Sequence, residues 1–343
     1  MSFLKRIFGC SNHQDRSNSE TTPSQSSNAG THVSVKDLIS LQQQARKLNL
    51  KRNAYASAST TGSHRSRFRG RGMDYQESRI YQAGDDIRNM DWRVTARSGK
   101  PHTKLYQEER ERPVVLLVDF SPSMFFGSVN SLKSVVACKV ASIIAWAAAA
   151  RGDRIGALII NETHRELAPK MGKRGVLQLI RALVEHSDPV RGLTLKTSEN
   201  GLNEELKRLR HIARPGSLVF LISDFYGVNA NTEQHLQRLS QHIDIQAIQI
   251  VDPLEIAPPP AGRYTITDGE DGKQTGVLNT RSKKSRKGYQ QFCNEHHQSL
   301  SNMMMRHNIP LMQLSTADDI LLALQQNFSQ VKRKPVARNR KVA

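Results

Sequence analysis

The chain has 343 residues, of which 37% are hydrophobic, and a formal net charge of +19 at pH 7. This hydrophobic content supports a core but lies below the globular average, so we expect part of the chain to be poorly packed. The charge favours acidic partners, whether protein, nucleic acid or anionic membrane, without choosing among them. The three cysteines, Cys10, Cys138 and Cys293, are too widely spaced for a disulfide framework or a zinc site.

The chain shows neither a secretory signal nor a convincing membrane span. Its first ten residues have too short an apolar core and misplaced charges for a signal peptide. The longest apolar stretch, residues 135–150, contains Lys139 and is too short and Ala-rich to cross a bilayer comfortably. We therefore predict a cytoplasmic protein without a transmembrane segment.

The first third of the chain is polar or densely charged. Residues 1–32 have the composition of a disordered segment, and residues 33–112 form a second region, which opens with a helix capped by Ser34 and Asp37. The basic stretch 64–72 permits a nucleic-acid loop. The acids among residues 84–93 alternate with arginines, so Asp–Arg pairing explains them better than catalysis.

The rest of the chain alternates apolar strands with helices. Residues 114–118 form an uninterrupted apolar run that predicts a central, doubly buried strand, and the apolar helix 131–150 supplies the crossover that follows it. Similar patterns predict further strands at 154–160, 217–223, 243–251 and 309–314, with a polar edge strand at 164–167. Helices are predicted at 175–186, 204–212 and 288–307, and a last one from residue 318.

This alternation predicts an α/β fold with a doubly wound, mostly parallel sheet over residues 113–328. Residues 253–280 interrupt it with a proline-rich loop at 253–262 and a small hairpin at 263–279. A basic tail, 329–343, is predicted to be disordered.

Oxygen-bearing side chains follow two of the predicted strands. Asp119, Ser121 and Ser123 come directly after strand 114–118, and Asp224 ends strand 217–223. Binding sites in such sheets lie at the carboxyl ends of the strands. Thr194, in the loop 191–195, could face the same edge. Hydroxyls and carboxylates without His or Cys favour Mg²⁺ or Mn²⁺.

This constellation resembles the metal-ion-dependent adhesion site of von Willebrand factor A domains, whose Asp-x-Ser-x-Ser, distant Thr and distant Asp are matched here. The resemblance implies a Rossmann-like von Willebrand factor A fold. It implies direct ion contacts from Ser121, Ser123 and Thr194, with Asp119 and Asp224 acting largely through water. The open position would accept a carboxylate of a partner. Thr197 is a second candidate for the role of Thr194, because the loop 191–195 lacks a second glycine that is usual there.

A narrower resemblance covers about residues 33–325, on the motifs at 69–75, 79–88, 90–92, 96–97 and 109–113. The chain is similar to bacterial A-domain proteins associated with MoxR-type AAA+ ATPases. This resemblance implies a non-enzymatic adaptor that works beside such an ATPase and a client protein in chaperone-like maturation or metal insertion.

Two other functions remain open at this stage. A nucleic-acid-binding protein would use the basic stretch 64–72 and the basic tail, and its affinity would fall steeply with salt. A metal-dependent hydrolase would use Asp119 and Asp224, but no histidine lies near these loops in the sequence to act as general base. The chain has no Walker-type phosphate loop, so ATP use is expected of a partner.

Overall fold

The computed structural model describes residues 30–48, 50, 73–82, 84–108, 113–161, 164–192, 201–267 and 275–329. The chain divides into two compact units, the larger formed by Met1–Ala56 and Arg112–Ala343 and the smaller by Ser57–Glu111. The predicted disordered segments 1–32 and 329–343 fall largely outside the described residues. The predicted domain bounds stay a prediction.

The described residues form eleven α-helices and ten strands. The helices are α1 (Val35–Ser40), α2 (Gln42–Ala45), α3 (Trp92–Ser98), α4 (Lys133–Ala150), α5 (Gly172–His186), α6 (Pro189–Gly192), α7 (Gly201–Ile212), α8 (Ala230–Ser240), α9 (Pro253–Ile256), α10 (Lys283–Arg306) and α11 (Ile320–Ser329). The strands are β1 (Met73–Ile80), β2 (His102–Glu108), β3 (Pro113–Asp119), β4 (Arg154–Ile160), β5 (Arg165–Met171), β6 (Leu218–Ser223), β7 (Asp244–Val251), β8 (Arg263–Thr267), β9 (Thr275–Asn279) and β10 (Leu311–Ser315).

A six-stranded sheet in the order β10-β7-β6-β3-β4-β5 organises the larger unit. All neighbouring strands pair in parallel except β4 and β5, which are antiparallel. The prediction of a mostly parallel α/β sheet is confirmed, and β5 is the polar edge strand. It runs antiparallel because the short connection after β4 leaves no room for a crossover helix.

Both faces of this sheet are covered, which confirms the doubly wound arrangement. Strand β3 shows why its sequence has no polar alternation. Its residues Leu116 and Val118 belong to the apolar cluster on one face, whereas Val115 and Leu117 belong to the cluster on the other. A strand that is buried on both faces must be apolar at every position.

Helix α4 is the most deeply buried helix of the larger unit. In the described part of the chain it is the one helix long and apolar enough to cross a membrane by length and composition, and 83% of it is buried inside the protein. Its apolar residues therefore serve as core, where small alanines let it pack closely against its neighbours.

The N-terminal helix packs into the same core as α4. The predicted capping box is present, because the Ser34 side chain accepts from the Asp37 N–H and the Asp37 side chain accepts from the Ser34 N–H. Leu38 is fully buried, and the Trp146 indole N–H donates to the Leu38 carbonyl at 3.1 Å. The helix predicted from the apolar residues up to Leu48 is divided at Leu41 into α1 and α2, and α2 already ends at Ala45.

The smaller unit is an antiparallel β1–β2 pair with α3 between the two strands in sequence. The predicted Asp–Arg pairing holds for Arg79 and Asp85, which are 2.7 Å apart. Asp86 and Asp91 instead cap a 3-10 helix and α3, because their side chains accept backbone N–H groups. Strand β1 and helix α3 were not predicted, since charges hide their apolar periodicity. The basic stretch 64–72 lies outside the described residues.

The insertion after β7 differs in one respect from the prediction. A short helix, α9, stands where a continuous proline-rich loop was expected. Asp252 caps it, Pro253 occupies its first turn, and Glu255 completes a capping box. Strands β8 and β9 form the predicted hairpin, whose turn at 268–272 lies outside the described residues. Outside this insertion, helix α8 before β7 was also not predicted.

We predict that Leu38→Ala destabilises the larger unit by about 2–5 kcal/mol, because it leaves a cavity in the core shared with α4. The matched control is Ile39→Ala in the same helix, where the side chain is 37% exposed and the loss should stay below about 1 kcal/mol. Chemical denaturation followed by tryptophan fluorescence measures both. Equal small losses would contradict the placement of this helix in the core.

Candidate functional site

The two predicted acids meet at the carboxyl edge of the sheet. Strands β3 and β6 are parallel neighbours, with Val118 opposite Ile222, so the residues that follow them lie side by side. Asp119 is 6% exposed and Asp224 only 1%. Two carboxylates are thus held together in an environment that solvates charge poorly.

The loop after β3 brings its hydroxyls together over these acids. The Asp119 Oδ1 accepts the Ser121 N–H at 2.8 Å, which turns the chain into a 3-10 helix, Pro122–Phe125. This turn places the Ser121 Oγ and the Ser123 Oγ 3.1 Å apart. Four of the predicted site residues therefore form one cluster at this edge: Asp119, Ser121, Ser123 and Asp224.

Asp119 is the acid of the pair whose pKa is raised. Burial, together with repulsion from Asp224, raises the pKa of Asp119 to about 6. The Ser223 hydroxyl acts in the opposite direction, because it donates to the Asp119 Oδ2 at 2.6 Å. Near neutral pH this carboxyl is ionised at a cost that a cation could remove.

Asp224 differs from Asp119 because it has a buried counter-charge. Burial acts to raise its pKa, but the Lys133 ammonium, 2.8 Å from its Oδ2, outweighs that effect and leaves the pKa below its usual range. The Ser123 hydroxyl and the Tyr226 N–H add hydrogen bonds to this carboxylate. Asp224 therefore remains ionised, and the repulsion falls on Asp119.

The chain turns sharply behind Asp224. Phe225 has φ 58°, in the left-handed region that a bulky residue adopts only at a cost of about 1–2 kcal/mol. Its ring is buried, and its N–H donates to the Ser223 Oγ at 2.9 Å. The turn brings the Tyr226 N–H back to the Asp224 Oδ1 at 3.2 Å. Local strain is thus maintained by packing in order to hold one carboxylate.

A network behind the cluster joins distant parts of the chain. The Lys133 Nζ, fully buried, also contacts the Glu255 Oε1 at 2.7 Å. The Glu255 Oε2 accepts the Asp252 N–H at 2.9 Å. Asp252 in turn accepts the Ser128 N–H at 2.7 Å and the Thr316 hydroxyl at 3.0 Å. Loops after β3, β7 and β10 are therefore tied together beneath the site.

The remaining predicted donor, Thr194, and its substitute Thr197 lie outside the described residues. The nearest described position before them is Gly192, the last residue of α6. A Cβ atom there would lie 2.3 Å from the ring of Phe125, two residues after Ser123. Glycine therefore allows α6 to approach the serine loop closely.

The described donors fit a hard divalent cation. In an octahedral shell with ion–oxygen bonds of about 2.1 Å, neighbouring oxygens lie about 3 Å apart, which is the spacing of the two serine hydroxyls. The buried carboxylates of Asp119, Asp224 and Glu255 also outnumber the single ammonium of Lys133. Among the described residues, no group of three or more His, Cys, Asp or Glu side chains is placed to hold a metal, so this site depends on hydroxyl donors.

Sequence reasoning missed the supporting residues Lys133, Ser128, Ser223, Asp252 and Glu255. The available signal was weak: a lysine opening an apolar helix, and acids flanking a proline. Because their partners are far away in the sequence, only the folded chain identifies their role.

We predict that Asp119→Asn stabilises the ion-free protein by about 2 kcal/mol at about pH 7.5, because it removes a buried charge that repels Asp224. The folded-state pKa of Asp119 is raised, so its proton stabilises the folded wild type at low pH and this contribution disappears as the pH rises through about 6. The advantage of the variant should therefore shrink at about pH 5. Urea unfolding in EDTA at both pH values measures it, and a variant that is less stable than wild type at the higher pH would contradict the prediction.

Comparison with solved structures finds proteins of low sequence identity. BatB from Bacteroides thetaiotaomicron is 10% identical, with a TM-score of 0.39, over 64% of this chain and 97% of that one. An aerotolerance-related membrane protein from Bacteroides fragilis is 14% identical, with a TM-score of 0.40 and the same coverage of both chains. A von Willebrand factor type A structure from Catenulispora acidiphila is 15% identical, with a TM-score of 0.29, over 44% and 35% of the two chains.

These comparisons correct the predicted location. The Bacteroides fragilis structure is titled a membrane protein, and a further similar structure, from Vibrio fischeri, is titled a membrane-spanning protein. The prediction of a purely cytoplasmic protein is therefore wrong. It depended on the lack of a long apolar stretch in the sequence, a criterion that does not address attachment to a membrane without spanning it.

Sequence comparison identifies the family. Uncharacterized proteins from Mycobacterium tuberculosis and Mycobacterium bovis are each 31% identical over 212 residues, which cover 62% of this chain and 65% of the relative. The chain thus spans about 65% of the length of these curated relatives. Residues 77–299, more than half of the chain, match the family described as "Protein of unknown function DUF58". The chain, with its mostly parallel sheet and its acids and serines at one edge, belongs to the DUF58 family.

Proposed function

We propose that this protein is a metal-dependent protein-interaction module. A Mg²⁺ or Mn²⁺ ion would be held by Ser121 and Ser123, with Asp119 and Asp224 behind them and Thr194 completing the protein's share of the shell. A bound divalent cation supplies an open coordination position for an oxygen ligand of a partner, for which a carboxylate is the natural donor. The observation that carries the proposal is the pair of serine hydroxyls 3.1 Å apart beside two buried carboxylates.

The two acids already have hydrogen-bond or ion-pair partners, which favours a binding role over a catalytic one. A general base must be free to take a proton from a substrate or a water. Asp119 already accepts hydrogen bonds from Ser121 and Ser223. Asp224 is ion-paired to Lys133 and held by the Tyr226 N–H. Both carboxylates are therefore placed to orient ligands of an ion, and we propose a non-enzymatic role.

The smaller unit supports an adaptor with a second binding surface. Trp92 is 67% exposed and Ile87 62% exposed. Within the described residues, Arg88, Arg93 and Arg97 form no ion pair, since Asp85 is taken by Arg79 and the neighbouring acids serve as helix caps. Exposed Trp and Arg are the residues that most often dominate protein–protein binding. We propose that a MoxR-type AAA+ ATPase and a client protein are the two partners, as the family resemblance implies.

The proposal predicts partner binding that depends on the ion. The MoxR-type ATPase of the same cell should be retained by the purified protein in Mg²⁺ and released in EDTA. Asp119→Ala should abolish this retention, because the carboxylate behind the ion is lost, while leaving the fold intact. The control is Glu185→Ala, which removes an exposed carboxylate on α5 away from the site. Co-purification and calorimetry measure both variants.

Other outcomes would change the proposal. Retention that ignores EDTA and Asp119→Ala, but fails in Trp92→Ala, would place the ATPase on the smaller unit and leave the ion site for the client. Absence of retention, together with nucleic-acid binding that falls steeply with salt, would favour the nucleic-acid function suggested by the net charge of +19.

A further inference from the structure

Lys133 is placed where two physical effects oppose it. It is fully buried, although removing an ammonium from water is costly unless the charge is paired. It is also the first residue of α4, an 18-residue helix, where the positive end of the helix dipole disfavours a cation. A residue that breaks two local rules indicates that its charge has a role at this position.

That charge is directed at the ion site. The Lys133 Nζ lies 2.8 Å from the Asp224 Oδ2 and 5.3 Å from the centre of the Tyr226 ring. The other oxygen of Asp224, Oδ1, accepts the Tyr226 N–H at 3.2 Å. Asp224 also takes a hydrogen bond from the Ser123 hydroxyl. Both carboxylate oxygens are thus engaged before any ion binds.

The ammonium is not free to follow Asp224 toward an ion, because Glu255 holds it as well. The Glu255 Oε1 lies 2.7 Å from the Lys133 Nζ, and the Glu255 Oε2 accepts the Asp252 N–H. Asp252 is itself held by Ser128 and Thr316. The position of the ammonium is therefore set by the segment after β7 and not by the ion site alone.

We propose that Lys133 is a positioning residue that holds Asp224 back from direct ligation of the ion and lowers the affinity of the site for divalent cations. This inference rests on the proposed metal site and adds a specific determinant of its strength. A fixed positive charge beside a carboxylate reduces the attraction that the carboxylate exerts on a second cation. The site is thereby adjusted to bind its ion weakly when it binds alone.

Weak ion binding has a consequence for the partner. A carboxylate from a partner would supply the negative charge that Lys133 has taken from the site. Ion and partner would then increase each other's affinity, since such coupling is reciprocal. The ion would be held firmly only in the complex, and partner release would follow ion loss.

The test compares Mn²⁺ binding by wild type and two variants of the full chain. Electron paramagnetic resonance detects the free ion and so measures how much is bound. Lys133→Met combined with Glu255→Gln removes the ammonium and its second partner together, which leaves the net charge of the chain unchanged. We expect this double variant to bind Mn²⁺ about tenfold more tightly than wild type. Glu255→Gln alone leaves the ammonium to Asp224, and we expect about threefold weaker binding.

Controls separate the possible failures. Lys133→Met alone would leave two buried carboxylates unpaired and is expected to unfold, so it is not used. Thermal unfolding verifies that each variant folds, and Glu255→Gln still tests the proposal if the double variant does not. Asp119→Ala should bind no Mn²⁺. If wild type binds and Asp119→Ala does not, but removing Lys133 leaves the affinity unchanged or weaker, the role of Lys133 is overturned and the metal site stands. If neither wild type nor the double variant binds Mn²⁺, both proposals are overturned.

Discussion

The buried contact of Lys133 with Asp224 and Glu255 is the interaction on which the rest of the site depends. It joins the start of α4, the end of β6 and the short helix α9, whose residues lie 91 and 122 positions from Lys133 in the chain. Removing Lys133 would leave two uncompensated carboxylates in the interior, at a cost of about 3–5 kcal/mol. The three elements must therefore be folded together, and the site inherits the rigidity of the core.

At the same edge of the sheet, the arrangement that the proposed ion site needs lowers the stability of the ion-free chain. Parallel neighbours bring Asp119 and Asp224 together, and only Asp224 has an ammonium beside it. The unrelieved charge of Asp119 and the left-handed backbone of Phe225 both lower the stability of the ion-free chain. Such local costs persist where the surrounding packing is strong, and here the apolar clusters on the two faces of the sheet supply that packing.

The sequence predictions were accurate where an element is determined by residues close together in the chain, and they failed where it depends on distant contacts. Strand β3 and helix α4 were predicted because long apolar runs have few alternatives in an α/β protein. Helix α1 was predicted from Ser34 and Asp37, whose capping contacts span three residues. Helix α9 was missed because Pro253 indicates a loop unless Asp252 and Glu255 are known to cap it. Strand β1 and helix α3 were missed because most of their residues are polar or charged. Strand β1 forms because it pairs with β2, and Asp91 caps α3.

The sequence by itself determined the α/β class, the position of the central strand and the placement of Asp119, Ser121, Ser123 and Asp224 at one edge of the sheet. It could do so because residues that end parallel strands must share one edge of the sheet. Only the tertiary structure decided which of the two acids is neutralised, since Lys133 reaches Asp224 and not Asp119 through the packing of α4. It also decided that Glu255, Asp252, Ser128 and Thr316 support the site, because hydrogen bonds and ion pairs between distant segments leave no periodic pattern in a sequence.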